Sequence, residues 1–138
     1  MLNGKLIHPE ILVALASAGH GSKVLISDGN YPHSTKCGPN AQLIFLNLSP
    51  GKVLVTDILE AILEKTPVEA AAVMQPADGK DAPIFSEFSS LLGRGIELQR
   101  LERFAFYEAA SSPDVCLTVA SGDQRLYANL LLTIGVVV

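Results

Sequence analysis

At 138 residues the chain has room for one compact domain, expected to span 1–138, and no second one. A net charge of −4 without any basic cluster excludes a nucleic-acid backbone as partner. Hydrophobic residues make up 49% and charged ones 17%, with a mean hydropathy of +0.34, yet no apolar run approaches the roughly 18–20 residues of a spanning helix. Composition therefore points away from a membrane protein and towards an oligomer that buries apolar surface between copies.

In chain order, Met1-Leu2-Asn3-Gly4-Lys5 lacks the apolar core of a signal peptide. His8-Pro9-Glu10 opens a first helix, with proline at its first position and an acid at its positive end. Ile11, Leu12, Leu15 and Ala16 recur at helical spacing, and Gly19 is the expected C-terminal cap. Val24 to Ser27 reads as a buried strand ending at Asp28. Gly29 to Gln42 is loop chemistry, and long for a compact domain, where such loops are often functional. Leu43 to Leu46 is a second strand, closed by Ser49-Pro50-Gly51. Lys52 to Lys65 is a helix, and Val68 to Met74 a third strand rich in alanine. A polar turn, Gln75 to Pro83, leads to a short helix, Ile84 to Leu92. Ile96 to Leu101 is a fourth strand, Glu102 to Ala110 a helix rich in aromatics, and Val115 to Ala120 a fifth strand. After the turn Ser121-Gly122-Asp123-Gln124, Leu130 to Val138 is the expected last strand. This alternation argues for a layered α/β domain.

The chain carries no G-x-S-x-G elbow, P-loop or G-x-G-x-x-G fingerprint. Cys37 and Cys116 have no metal or redox spacing and read as reduced thiols of a cytosolic protein. His33 and Cys37 lie four apart in a Gly/Pro loop, where that spacing has no geometric force, so no metal site is expected. What remains is Gly19-His20-Gly21, running through an apolar segment to Asp28. A histidine between glycines is poorly shielded, and an acid at the carboxyl end of a buried strand sits where open α/β sheets place ligands. Each residue also has a plain reading: His20 as a helix-end loop residue, Asp28 as a turn cap, Arg103 as a solvated helix arginine, and Tyr127-Ala128-Asn129 as a turn.

Taken together, His8-Pro9-Glu10-Ile11-Leu12, Gly19-His20-Gly21 with Ser27-Asp28, Tyr31-Pro32 with Gly38-Pro39, Arg103-Phe104-Ala105-Phe106-Tyr107-Glu108, and Gly122 with Tyr127-Ala128-Asn129 resemble the D-ribose pyranase / L-fucose mutarotase family almost from end to end. The resemblance implies a three-layer α/β/α fold with a mostly parallel sheet of about six strands, cofactor-independent interconversion of the cyclic forms of free sugars, and a ring-shaped decamer in the cytoplasm. It implies His20 as the catalytic acid/base, with Asp28, Arg103 and the Tyr127-Ala128-Asn129 segment holding the sugar. Arg103 stands where ribose pyranases carry histidine, so the chain looks like the L-fucose branch. Gly29 in place of the more usual alanine and an unfamiliar His33–Lys36 loop bear on the preferred sugar.

The chemistry suits such groups. Exchanging α and β anomers opens a hemiacetal and closes it on the other face, so the ring oxygen gains a proton as the anomeric hydroxyl loses one. A histidine with an ordinary pKa of ~6.5 does either job near neutrality, and no covalent nucleophile is needed. Asp28 accepts, Arg103 donates a planar pair, Asn129 does both, and Tyr127 covers an apolar sugar face. One geometric tension stands out. An extended Lys23 to Ser27 spans ~16 Å, so His20 and Asp28 meet one sugar only if the His20 loop folds back or two subunits complete each site; the second is expected. The alternatives are a non-catalytic sugar-binding or transport-associated protein, which would have no need of His20, and a D-ribose pyranase.

Overall fold

The computed structural model describes all residues, Met1–Val138. Its elements are α1 (Pro9–Ser17), β1 (Lys23–Ser27), β2 (Gln42–Phe45), α2 (Val55–Leu63), β3 (Val68–Met74), α3 (Ile84–Leu92), β4 (Leu98–Leu101), α4 (Arg103–Ala110), β5 (Val115–Ala120) and β6 (Leu130–Ile134). The six strands form one sheet in the order β2-β5-β1-β6-β3-β4. β6 runs antiparallel to both its neighbours, β1 and β3, while the pairs β1–β5, β2–β5 and β3–β4 are parallel. The carboxyl ends of β1 to β5 and the amino end of β6 therefore share one edge of the sheet.

The central strands are buried on both faces, as their continuous apolar sequence requires. Val24 and Ile26 of β1 join a core with Ile11 of α1, Leu59 of α2 and Phe88 of α3. Leu25 points the other way, to a smaller core with Tyr31, Phe106 and Ala110. The period of two along β1 thus sorts α1, α2 and α3 to one face, and α4 with the loop after β1 to the other. This is the three-layer arrangement.

Several boundaries differ from the sequence reading, and the larger shifts have local causes. α1 ends at Ser17 with Ala18 extended (φ −84°, ψ 166°), so Gly19 lies beyond the cap. α2 starts at Val55, not Lys52. Asp57 accepts the Leu54 N–H (3.2 Å) and Asp123 accepts the Val55 N–H (3.0 Å), fixing that start, while Lys52 is held in a turn by Ser49. β4 begins at Leu98, opposite Ala71, two residues later than expected. β6 stops at Ile134, opposite the first residue of β3, and Gly135 turns to bond Pro67 O (2.9 Å). In α1, Ala14 rather than Ala16 faces the core.

Gly122 answers a packing demand. A Cβ there would run into the backbone carbonyls of Lys52 and Ser49, so the turn after β5 closes against the 49–53 turn only with glycine.

Candidate functional site

At the carboxyl edge, Asp28 emerges from β1 and is buried (5% exposed). Its backbone N–H donates to Asn129 Oδ1 (2.9 Å), and Asn129 Nδ2 donates to Asp28 Oδ2 (3.0 Å). Asn30 N–H donates to Asp28 Oδ1 (2.9 Å). Burial pushes the Asp28 carboxyl above its usual range, and nearby Asp123 adds to this; the bonds from Asn30, Asn129 and Tyr31 offset only part of it.

Tyr127 sits at φ 61°, uncommon for a non-glycine residue. The backbone N–H groups of Tyr127, Ala128 and Asn129 donate to no group of the chain. Two of them belong to buried residues, Ala128 (0% exposed) and Asn129 (4%), where open donors are rare. Ala128, expected as a sugar contact, has its side chain wholly enclosed, so only its backbone is available to a ligand.

Arg103 is the first residue of α4. The Glu102 side chain caps that helix, its Oε2 accepting from Phe104 N–H (3.0 Å) and Ala105 N–H (3.3 Å). Arg103 is exposed, without an ion-pair partner, and lines a cleft of about 530 Å³ with Tyr127, Gln75, Glu102 and Phe104. Losing this cap loosens the turn that presents Arg103. Glu102→Ala is expected to cost about 1 kcal/mol, within the usual range for cap loss, and to lower the midpoint of thermal unfolding by several degrees.

The turn before Tyr127 is held by residues the sequence did not mark. Arg125 donates to both carboxylate oxygens of buried Asp123 (3.0 and 2.7 Å), to Glu87 (2.9 Å) and to Thr56 Oγ1 (3.2 Å). Burial works to raise the Asp123 carboxyl, but the bonds from Arg125 and the Val55 amide outweigh it and hold it below its usual range. Tyr107 packs against Tyr31 (5.6 Å between ring centroids) and Phe104 (6.4 Å), half-buried against the smaller core. His33 bonds Ser27 Oγ through Nδ1 (2.9 Å), whereas Cys37 Sγ contacts Thr118 Oγ1 (3.9 Å), so the two have separate partners.

His20 lies at the opposite edge, where the chain turns through Gly21 (φ 85°) into β1. Its Nε2 is 3.0 Å from both oxygens of Glu69, near the start of β3. A carboxylate only accepts, so this contact places the ring hydrogen on Nε2 and leaves Nδ1 open. The pair is half-exposed, and His20 borders a cleft of about 710 Å³ with Ser22, Asn40 and Asp114. Sequence reasoning missed Glu69, because nothing local says that the starts of β3 and β1 share an edge.

One subunit therefore brings Asp28, Asn129, Arg103 and Tyr127 to the carboxyl edge and leaves His20 at the amino edge. β1, extended between them, spans ~16 Å.

Residues 1–137 match the RbsD / FucU transport protein family. The chain is 36% identical to a fucose mutarotase of Danio rerio, over 96% of this chain and 90% of that protein. Among solved structures it is similar to FucU from Bifidobacterium longum (TM-score 0.81, 36% identity, 96% of each chain). It is also similar to a fucose mutarotase from Streptococcus pneumoniae in complex with L-fucose (TM-score 0.76, 28% identity, 96% of this chain and 95% of that one).

Proposed function

The chain belongs to the RbsD / FucU transport protein family, and from that premise and the geometry above we propose that it is a sugar mutarotase, an isomerase that interconverts the α and β anomers of a free monosaccharide, L-fucose or a similar pyranose. The observation that carries the reading is the carboxyl edge itself: a buried acceptor, an amide side chain and open backbone donors stand on the same edge of the sheet as a cleft lined by the free Arg103 guanidinium and Tyr127. Such a set pairs with several hydroxyls at once.

In this reading Asp28 and Asn129 bind sugar hydroxyls, Arg103 donates to them, the Tyr127–Asn129 amides donate to ring or hydroxyl oxygen, and the Tyr127 ring covers an apolar face of the sugar. His20 moves the proton: Nδ1 takes it from the anomeric hydroxyl as the bond between the anomeric carbon and the ring oxygen breaks, the imidazolium delivers it to the released ring oxygen, and closure on the other face of the carbonyl reverses the two transfers. Glu69 holds the ring, accepting from Nε2, and so keeps Nδ1 free for the transfer. No cofactor enters these steps.

Because His20 and Asp28 lie at opposite edges, two subunits complete each site. The exposed apolar side chains support this: Phe45, Leu48, Phe104 and Leu126 ring the carboxyl edge, and Ile7, Val13, Val136 and Val137 lie towards the amino edge. An amino-edge-to-carboxyl-edge contact buries both groups, and such heterologous contacts close into rings. The proposed assembly is the decamer implied by the resemblance, and the proposed location is the cytoplasm. No helix is long and apolar enough to cross a membrane.

The Asp28 carboxyl gives the reading a pH signature. Acidification protonates it and removes an acceptor, and since burial raises its pKa, the loss begins above the ordinary carboxylate range. L-Fucose affinity, measured calorimetrically on acidification, is expected to fall in that window. Asp28→Asn is expected to bind about tenfold more weakly and to lose that pH dependence. An unchanged affinity in the variant removes Asp28 from the site.

A further inference from the structure

One wall of the Arg103 cleft is the segment between β3 and α3. Gln75, Pro76, Ala77 and Gly79 face that cleft, while Pro76, Asp78 and Lys80 line a second cleft of about 440 Å³ on the other side of Tyr127. Internally the segment is tied by short-range bonds alone: Gly79 N–H to Pro76 O (3.0 Å), Lys80 N–H to Asp78 Oδ1 (2.9 Å) and Gln75 Nε2 to Lys80 O (3.2 Å). Such bonds shape a turn but do not fix where it sits.

At its start the segment is joined to β4 by Gln75 N–H to Leu101 O (2.7 Å); the side-chain tie, at its far end, is Asp81. Arg100 of β4 grips it with a planar fork, Nε to Oδ1 and Nη2 to Oδ2, both 2.6 Å. The remaining nitrogen, Nη1, donates to Leu98 O (2.9 Å), which locks the guanidinium onto its own strand. Arg100 stands three residues before Arg103, so one contact joins the cleft wall to the strand that delivers the cleft's free cation. Resting on the sugar reading above, we propose that Asp81 and Arg100 are positioning residues that latch the 75–83 wall against β4 and so set the affinity of the Arg103 cleft for its sugar.

The fork matters beyond charge. Lysine offers a single point of attachment, whereas the guanidinium fixes both the distance and the plane of the carboxylate. Arg100 holds the Asp81 carboxyl below its usual range, so the latch is charged on both sides near neutrality.

The test has two readouts on the full-length protein. The first is amide hydrogen exchange of residues 75–83. Asp81→Asn and Arg100→Lys are expected to speed exchange there, with little change in the central strands. Equal exchange in wild type and both variants overturns the latch. The second is the kinetics of L-fucose anomer exchange. Both variants are expected to raise KM about three- to tenfold with kcat within about twofold of wild type, the mark of lost binding rather than lost chemistry. The double variant Asp81→Arg with Arg100→Asp is expected to recover more than half of that loss. An unchanged KM, or a fall in kcat that the swap does not rescue, contradicts the positioning role. If the wild-type protein accelerates no sugar, the sugar reading fails, and hydrogen exchange still decides whether the latch exists.

Discussion

His20→Ala is expected to lower kcat for anomer exchange by about 10²- to 10⁴-fold and to leave sugar affinity nearly unchanged. That range is the usual worth of a positioned proton-transfer group. The split between kcat and affinity follows from geometry. The binding groups lie at the carboxyl edge, and the His20–Glu69 pair lies across the sheet with no bond to any of them. The side chain is half-exposed and outside both cores, so its loss costs little stability. Thermal unfolding close to that of wild type is therefore part of the expected result. A parallel loss of binding would place His20 in sugar recognition instead.

Activity is expected to rise when two impaired variants are mixed and assayed at sugar concentrations well below KM. His20→Ala keeps a sound carboxyl edge and Asp28→Asn keeps a sound amino edge. If each site takes His20 from one subunit and Asp28 from its neighbour, random reassembly of equal amounts yields sites with both groups intact. About a quarter of the sites are then whole, since each side is correct half the time. Separately, His20→Ala is expected to show little more than background exchange and Asp28→Asn about a tenth of the wild-type rate at low sugar, so recovery is read above their sum. A site built within one subunit predicts no recovery at any mixing ratio, because no polypeptide in the mixture carries both residues. The magnitude of recovery thus reads the architecture directly, without a structure of the assembly.

Much of this was legible in the sequence because it is local. The glycine-flanked His20, the apolar run ending at Asp28 and the aromatic helix after Arg103 announce themselves within ten residues each. Even the separation of His20 from Asp28 follows from the rise of a strand. Ladder direction is also half-visible. Residues 121–129 hold no helix, too short a link for the crossover a parallel strand needs, which suits the reversed β6. What stayed hidden is long-range. Glu69 meets His20 from 49 residues away, Asp123 caps α2 from 68, and Arg100 reaches Asp81 across 19. Helix and strand limits moved for the same reason: α2 starts where Asp57 and Asp123 take up its amides, and β6 stops where β3 ceases to face it. The backbone role of Ala128 was similarly out of reach, since an alanine in a sequence gives no sign that its N–H is open.

The central claim is that the protein exchanges sugar anomers, and NMR magnetisation transfer between α and β signals tests it most directly. Catalytic amounts of protein are added to L-fucose, then to D-ribose, galactose and glucose. Faster α/β exchange is expected, greatest for L-fucose and abolished by His20→Ala. Detectable binding with no acceleration of any sugar would contradict it and leave a sugar-binding protein in place of an enzyme.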